Sequence, residues 1–258
     1  MVLNTEDVLA RFDAQVRRDI IAEPGIRVER TIHAVRVMGL WNCVLYSQLD
    51  DNSVDREIAA QIERFRPLGA QFEWKVYGHD QPSDLAERLA QAGFEPEEKE
   101  TFMVFDLGDE LASIESPPGI LVRQVSDADG IADVNIVGER AFGIDFSAMT
   151  EGFLARLPLG TVTFYVAYDG ADPVGAARLE TPPDCEFAGL YGGGTVPAYR
   201  RRGIYRSLVG VRAREALRRG YRFLSIDAAD QSLPILERLG FVPLTTVRPW
   251  VWRPAKAD

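Results

Sequence analysis

The chain has 258 residues, 46% of them hydrophobic and 26% charged, with a formal net charge of −10. That length holds one large or two medium domains, each able to bury its own core. No run of about 18 apolar residues occurs, which excludes a membrane-spanning helix.

The acidic start Met1-Val-Leu-Asn-Thr-Glu-Asp is unlike a secretory signal, so a cytoplasmic chain without a membrane partner is expected, a monomer or a homodimer. Residues 1–118 hold 23 acidic and 12 basic side chains, against 16 and 17 in residues 119–258. An acidic first half beside a near-neutral second half argues against nucleic acid as the partner and is compatible with a cationic amine. Cys43 and Cys185, in different halves, read as free thiols rather than a disulfide framework.

In chain order, Thr5–Ile21 reads as an amphipathic helix capped by Thr5, and Glu23-Pro24-Gly25 as a turn. Ile32–Val37 and Leu40–Ser47 alternate as strands do. Ser53–Phe65 is a predicted helix, Gln71–Tyr77 a strand and Asp84–Ala92 a helix, followed by an aromatic strand at Thr101–Leu107. Residues 108–118 end in Pro117-Pro118 and read as a linker. Beyond it come a strand at Ile120–Gln124, a helix at Gly130–Phe142 and a short helix near Phe146–Leu157. A meander follows, over Val162–Tyr168, Val174–Glu180 and Glu186–Val196. A helix opens at Ile204, with Ile204, Leu208 and Val211 on one face, and ends before Gly220. A strand at Tyr221–Ile226 and a helix ending in Gly240-Phe241 lead to a last strand at Pro249–Trp252.

Trp74–Pro96 aligns without gaps to Tyr221–Pro243 at an offset of 147 residues. Asp80 matches Asp227, and Gly93-Phe94-Glu-Pro96 matches Gly240-Phe241-Val-Pro243. A long self-match in the order strand, helix, Gly-Phe, strand indicates a duplicated α/β unit. The halves differ at one place. Thr195-Val-Pro-Ala-Tyr-Arg-Arg-Arg-Gly-Ile-Tyr205 is a strand end, a basic turn and a helix start, a combination that binds phosphate. The same offset lands on Ser53-Val-Asp-Arg56, preceded by Asp50-Asp51, an acidic helix start with no glycine turn.

With these parts in order, residues 119–258 resemble the GNAT superfamily of acyl-CoA-dependent N-acetyltransferases. The family signature (Gln/Arg)-x-x-Gly-x-(Gly/Ala) maps onto Arg200-Arg-Arg-Gly203-Ile-Tyr205, with Tyr205 where a small residue is usual. The resemblance implies an α/β fold, an α+β mixed sheet whose fourth and fifth strands splay apart. It also implies two GNAT-like domains in tandem: 1–110 without a coenzyme site and 119–258 with one. Mycothiol synthases have a similar layout with one silent half.

The implied reaction moves an acetyl group from acetyl-CoA, bound as co-substrate without a metal, to an amine acceptor. Amides at Arg201, Arg202, Gly203, Ile204, Tyr205 and Arg206 are expected to hold the pyrophosphate, with Ser232 a further coenzyme contact. An amide near Gly194 or Thr195 would polarise the thioester, and Val196 would pair with the pantetheine. Gly203 is expected to be needed so that ligand oxygens can approach the backbone, and the glycine run Gly192–Gly194 for a bulge or a close ligand.

Glu186 is the candidate general base, with Tyr191 a second candidate. The family's frequent thiolate-protonating tyrosine falls at Leu236 here, so Tyr205 or water is expected to supply that proton. A strand-end glutamate and a triple arginine are also ordinary solvated features. A histidine-dependent hydrolase fits poorly, because His33 and His79 both lie in the first half, and a zinc site lacks clustered ligands. The other class of function compatible with these residues is an acyl-CoA-binding sensor or partner-binding protein without turnover, which Leu236 favours.

Overall fold

The computed structural model describes residues 3–39, 41–108 and 114–254. Leu40, the expected start of a strand, residues 109–113 of the expected linker, and the outer ends of the two expected domains lie outside them.

The helices are α1 (Thr5–Phe12), α2 (Val54–Phe65), α3 (Leu85–Gln91), α4 (Ala128–Phe142), α5 (Thr150–Arg156), α6 (Ile204–Arg218) and α7 (Leu233–Arg238). The strands are β1 (Ile26–Arg30), β2 (Ala34–Gly39), β3 (Cys43–Ser47), β4 (Phe72–Tyr77), β5 (Glu95–Pro96), β6 (Glu100–Asp106) and β7 (Ile120–Val125). They continue with β8 (Val162–Asp169), β9 (Asp172–Glu180), β10 (Phe187–Thr195), β11 (Phe223–Ala228) and β12 (Val242–Trp252). The expected first helix is shorter than its sequence pattern: the chain widens into a π-helix over Asp13–Arg18, and Asn4 rather than Thr5 caps it, its side chain accepting from Asp7 N–H. β1 carries no clean alternation and escaped the sequence reading.

Two compact units are not separated at a single point of the chain. One comprises residues 1–103, 227–233 and 243–258; the other comprises 104–226 and 234–242. In the first, β1, β2 and β3 are antiparallel neighbours, β3 pairs with β4 in parallel, and β4 pairs antiparallel with β12. Phe65, Phe72, Trp74, Leu85, Leu89 and Trp252 form its main core, and the Phe65 and Phe72 rings stack 4.1 Å apart. In the second, β7, β8, β9 and β10 are antiparallel and β10 pairs with β11 in parallel. Ile131, Phe153, Val162 and Phe164 pack between α4, α5 and the sheet.

The order of connections repeats: three antiparallel strands, a helix, then a parallel strand. α2 occupies in the first unit the place that α6 occupies in the second, as the sequence offset requires. The fold is two GNAT-like units in tandem.

Candidate functional site

The second unit's strand β10 changes character along its length. It pairs with β11 only from Phe187–Gly189, opposite Phe223–Ser225, so beyond Gly189 the parallel ladder ends. On its other side it stays with β9, but with a bulge: Tyr191 faces Arg178 and Gly194 faces Ala176. β10 thus takes one residue more than β9 there, and Gly192 adopts a left-handed backbone with φ +57°. The glycine run has packing reasons as well. A Cβ on Gly193 would stand 3.2 Å from the Tyr205 ring and 3.3 Å from an Arg212 nitrogen, and one on Gly194 would overlap the Phe142 ring at 2.5 Å. The bulge half of the earlier expectation therefore holds, and two of the three glycines admit helices α6 and α4.

The turn after β10 is built by its own residues. Val196 donates to the Val174 carbonyl at 2.9 Å and accepts from Tyr199 N–H at 2.8 Å. Both its backbone groups are thus engaged inside the protein. Arg200 donates to the Thr195 and Ala141 carbonyls, tying the turn to β10 and to the end of α4. Arg201 takes φ +63° and is exposed. Arg202 lies 3.5 Å from Asp169 and over the Tyr199 ring. Gly203 has φ +86°, so its own backbone demands glycine; a Cβ there would meet Pro117 at 3.5 Å. That is a different reason from the ligand approach inferred from sequence.

α6 then begins with no capping side chain and no acidic residue in its first turn. The positive end of its dipole therefore meets no acidic side chain of the first turn and suits an anion. The equivalent helix start in the first unit also lacks a side-chain cap, but Asp55 and Glu57 stand in its first turn. The Asp50 carboxylate accepts from Asn52 N–H, Ser53 N–H and the Ser53 hydroxyl at 3.0, 2.8 and 2.7 Å. Those hydrogen bonds hold Asp50 below the usual carboxylate range. The Asp50 carboxylate thus ties up the turn just ahead of α2.

The remaining sequence-predicted residues are placed as follows. Gly194 and Thr195 end β10, Val196 opens the turn, and Gly203, Ile204, Tyr205 and Arg206 lead into the first turn of α6; Ile204 is buried and Arg206 exposed. Ser232 belongs to the first unit, where its N–H and hydroxyl both donate to the Ala229 carbonyl. Glu186 stands just before β10, its carbonyl accepting from Arg222 and Phe223 N–H at 3.0 and 2.9 Å. At about 3.3 Å per strand residue, it lies about 20 Å along the strand from Gly192. Glu186 and the bulge are not brought together. Leu236 is fully buried, a packing residue of α7.

Three residues around the bulge were not singled out from sequence. Arg178 lies over the Tyr191 ring at 5.2 Å and over Phe153 at 5.5 Å, and donates to Glu180 at 2.9 Å. Burial pushes the Glu180 carboxyl up, but Arg178 and Arg156 overcome that and hold it below its ordinary value. Phe142 covers Gly194. A cavity of about 20 Å³ between α4, α5 and the strands reaches Gly192 and Arg178, room for about one water and too little for an acceptor as it stands. Arg212 is fully buried on α6 in the stripe of Ile204, Leu208 and Ala216, whereas Val211, read as part of that stripe, is only half-buried. A charged residue at an apolar-stripe position was the available signal.

Residues 139–241 match the family model of the acetyltransferase (GNAT) family. No curated protein matches the chain. Among solved structures, the chain is similar to a GCN5-related N-acetyltransferase from Kribbella flavida, at 18% identity and TM-score 0.65, over 98% of this chain and 95% of that one. It is similar to a functionally unknown conserved protein from Staphylococcus epidermidis, at 14% identity and TM-score 0.68, over 92% and 97%. A tandem GNAT protein from the clavulanic acid biosynthesis pathway aligns at 16% identity and TM-score 0.59, over 92% and 86%.

Proposed function

We propose that this chain, an acyltransferase carrying a GNAT acetyltransferase domain in a tandem arrangement, transfers the acetyl group of acetyl-CoA to an amine at the β10 bulge of its second unit. The observation that carries this reading is the contrast between two equivalent helix starts. α6 opens behind the left-handed Gly203 and beside three arginines, with no acidic residue in its first turn, while α2 opens behind Asp50 and carries Asp55 and Glu57 in its first turn. One coenzyme per chain follows, its pyrophosphate on the first amides of α6.

In this reading the coenzyme arm lies where β10 leaves β11, and the thioester reaches the bulge. The bulge leaves Gly192 and Gly193 outside the regular β9 register, so their amides are the candidate donors to the thioester oxygen. The amine nitrogen's lone pair forms the new C–N bond and the C–S bond breaks with its electron pair on sulfur. The sulfur takes a proton, for which Tyr205 is the candidate donor, and the nitrogen gives one up. The chemistry needs no enzyme-bound acyl group, because the thioester is already activated; position and polarisation suffice.

Among the described residues no helix is long and apolar enough to cross a membrane, and a cytoplasmic location is part of the same proposal. Acetyl-CoA incubated with the protein and a panel of primary amines tests the reading: free thiol should appear with at least one amine and not without protein. Leu236, buried where a proton donor is usual in this family, favours a second reading, an acyl-CoA-binding sensor. That alternative predicts calorimetric binding of acetyl-CoA with no thiol released for any amine.

A further inference from the structure

Arg212 is a buried cation with no carboxylate paired to it among the described residues. Its side chain is wholly shielded from solvent, yet among the described residues its hydrogen bonds go only to two carbonyls: Nε to Leu208 at 2.9 Å and Nη1 to Arg178 at 3.2 Å. Its Nη2 is buried and has no hydrogen-bond partner among the described residues. Burying an ion with no countercharge is destabilising, and an apolar side chain of similar volume is usually as good or better for stability. A chain that keeps such a group invites a reason beyond packing.

The place of the guanidinium supplies one. Tyr205 and Arg212 are seven residues apart on α6, two turns, and therefore share a face. The point where a Gly193 side chain would begin is 3.2 Å from Tyr205 Cε2 and 3.3 Å from Arg212 Nη2. The ring and the free nitrogen therefore lie within about 6.5 Å of each other, the sum of those distances. Both rest against the bulged stretch of β10, and Gly193 is what lets them reach it. The other titratable or charged groups acting on Arg212 are Tyr165 of β8 and Arg178 of β9. Burial pulls the guanidinium down to about 10, against the opposing influence of Tyr205 and Tyr165, so it stays charged at neutral pH.

We propose that Arg212 is a positioning residue of the acyl-transfer site, its unneutralised charge readying the Tyr205 phenol to give its proton to the departing sulfur. The inference deepens the reading above and rests on it for the identity of the sulfur. The proton passes from Tyr205 Oη to the thiolate as the C–S bond breaks; the phenolate is stabilised by the adjacent guanidinium and recovers a proton from the acylated nitrogen. Atoms balance as amine plus thioester giving amide plus thiol. Close positive charge favours a phenolate most in a dry setting, where the interaction is little screened.

The phenol itself is the readout. With tyrosine labelled at the ring carbon bearing oxygen, the Tyr205 signal is assigned by its loss in Tyr205→Phe and followed with pH by NMR, with no acceptor present. In the unaltered protein it should titrate about one unit or more below the ordinary tyrosine value of about 10. Arg212→Met should move it up by about one unit or more, and Arg212→Lys should leave it near the unaltered value. With an amine that supports thiol release, Arg212→Met should lower kcat at least about tenfold while leaving the KM for acetyl-CoA within about threefold. A Tyr205 phenol that titrates at 10 or above in the unaltered protein overturns the proposal, even if Arg212→Met fails to fold. So does an equal titration in the Met and Lys variants. The titration stands or falls without acetyl-CoA turnover, so failure of the acetyltransferase reading shows separately, as absent thiol release with the phenol shift intact.

Discussion

Tyr191 sits opposite Arg178 as the last paired residue before the β10 bulge, with the guanidinium 5.2 Å from the centroid of its ring. That contact anchors one side of a stretch whose backbone is otherwise held by glycines. Gly192, next in line, has φ +57° and only an Arg178 nitrogen, at 3.6 Å, near the position of an added Cβ.

Gly192→Ala has the space but not the backbone freedom. A non-glycine residue in this conformation costs about 1–2 kcal/mol, so urea unfolding should report a loss of about that size. If the bulge amides hold the thioester oxygen, kcat should fall by more than that stability loss explains, because the bulge would relax toward regular pairing. Unchanged stability would mean that the bulge is not strained at Gly192.

The fold and the basic turn ahead of α6 were legible for one reason: each is written in consecutive residues. The repeat at an offset of 147, the Gly-Phe helix ends and the run from Thr195 to Tyr205 all carry their meaning locally. What stayed hidden depends on distant partners. Arg178, Phe142 and Arg212 matter because β9, α4 and α6 meet at the same glycines, a convergence no local pattern states. Two reasons inferred from sequence also changed. Gly203 is fixed by its positive φ, and Gly194 by the Phe142 ring. The start of the first helix misled because Thr5 and Asn4 are both good caps, and only the Asn4 side chain reaches a free amide.

Gly203→Glu should abolish acetyl-CoA binding in calorimetry, since it combines a forbidden backbone conformation with negative charge at the α6 start. Asp50→Asn in the first unit, by contrast, should leave a single site per chain. Two sites in the unaltered protein, or undiminished affinity in Gly203→Glu, would remove the α6 start from the coenzyme site. Circular dichroism on Gly203→Ala controls for the backbone cost alone, expected at about 1–2 kcal/mol.

The fragment 119–258 should be unstable. β12 pairs with β4 from Val247 opposite Tyr77 to Trp252 opposite Phe72, and β4 is absent from the fragment. Trp250 and Trp252, buried in the first unit's core, would face water. A fragment that melts cooperatively near the full-length temperature would show that β12 does not need β4.

Glu100 gives a stability–pH signature in the first unit. Burial, reinforced by Asp227 and opposed by Lys75, pushes its carboxyl up to about 7. A carboxyl raised in the folded state contributes stability that is fully present below its unfolded value of about 4.3 and is lost as pH rises through 7. Glu100→Gln should therefore gain about 1–2 kcal/mol over the unaltered protein at pH 8, and little at pH 4, after allowance for its partial exposure. Urea midpoints at the two pH values decide it; an equal difference at both would mean that Glu100 titrates normally.

Glu186 was the sequence's candidate for the base, and its position argues the other way. A general base works within about 3 Å of the proton it takes, or through one water. Glu186 is about 20 Å along an extended strand from Gly192, and it sits where β10 and β11 are still paired, its carbonyl bound by Arg222 and Phe223. The side chain would have to reach past three ladder pairs to meet an amine at the bulge. An ammonium acceptor of pKa about 10.4 still has to lose its proton, and its small neutral fraction entering from water meets that need without a carboxylate at this end of the strand. Glu186→Gln should therefore keep kcat within about threefold and leave the pH profile in place, where loss of a true base typically costs about 10² to 10⁴ in rate. A fall of that size, with acetyl-CoA affinity unchanged, would put the reacting amine at the start of β10 and move the proposed thioester position away from the bulge.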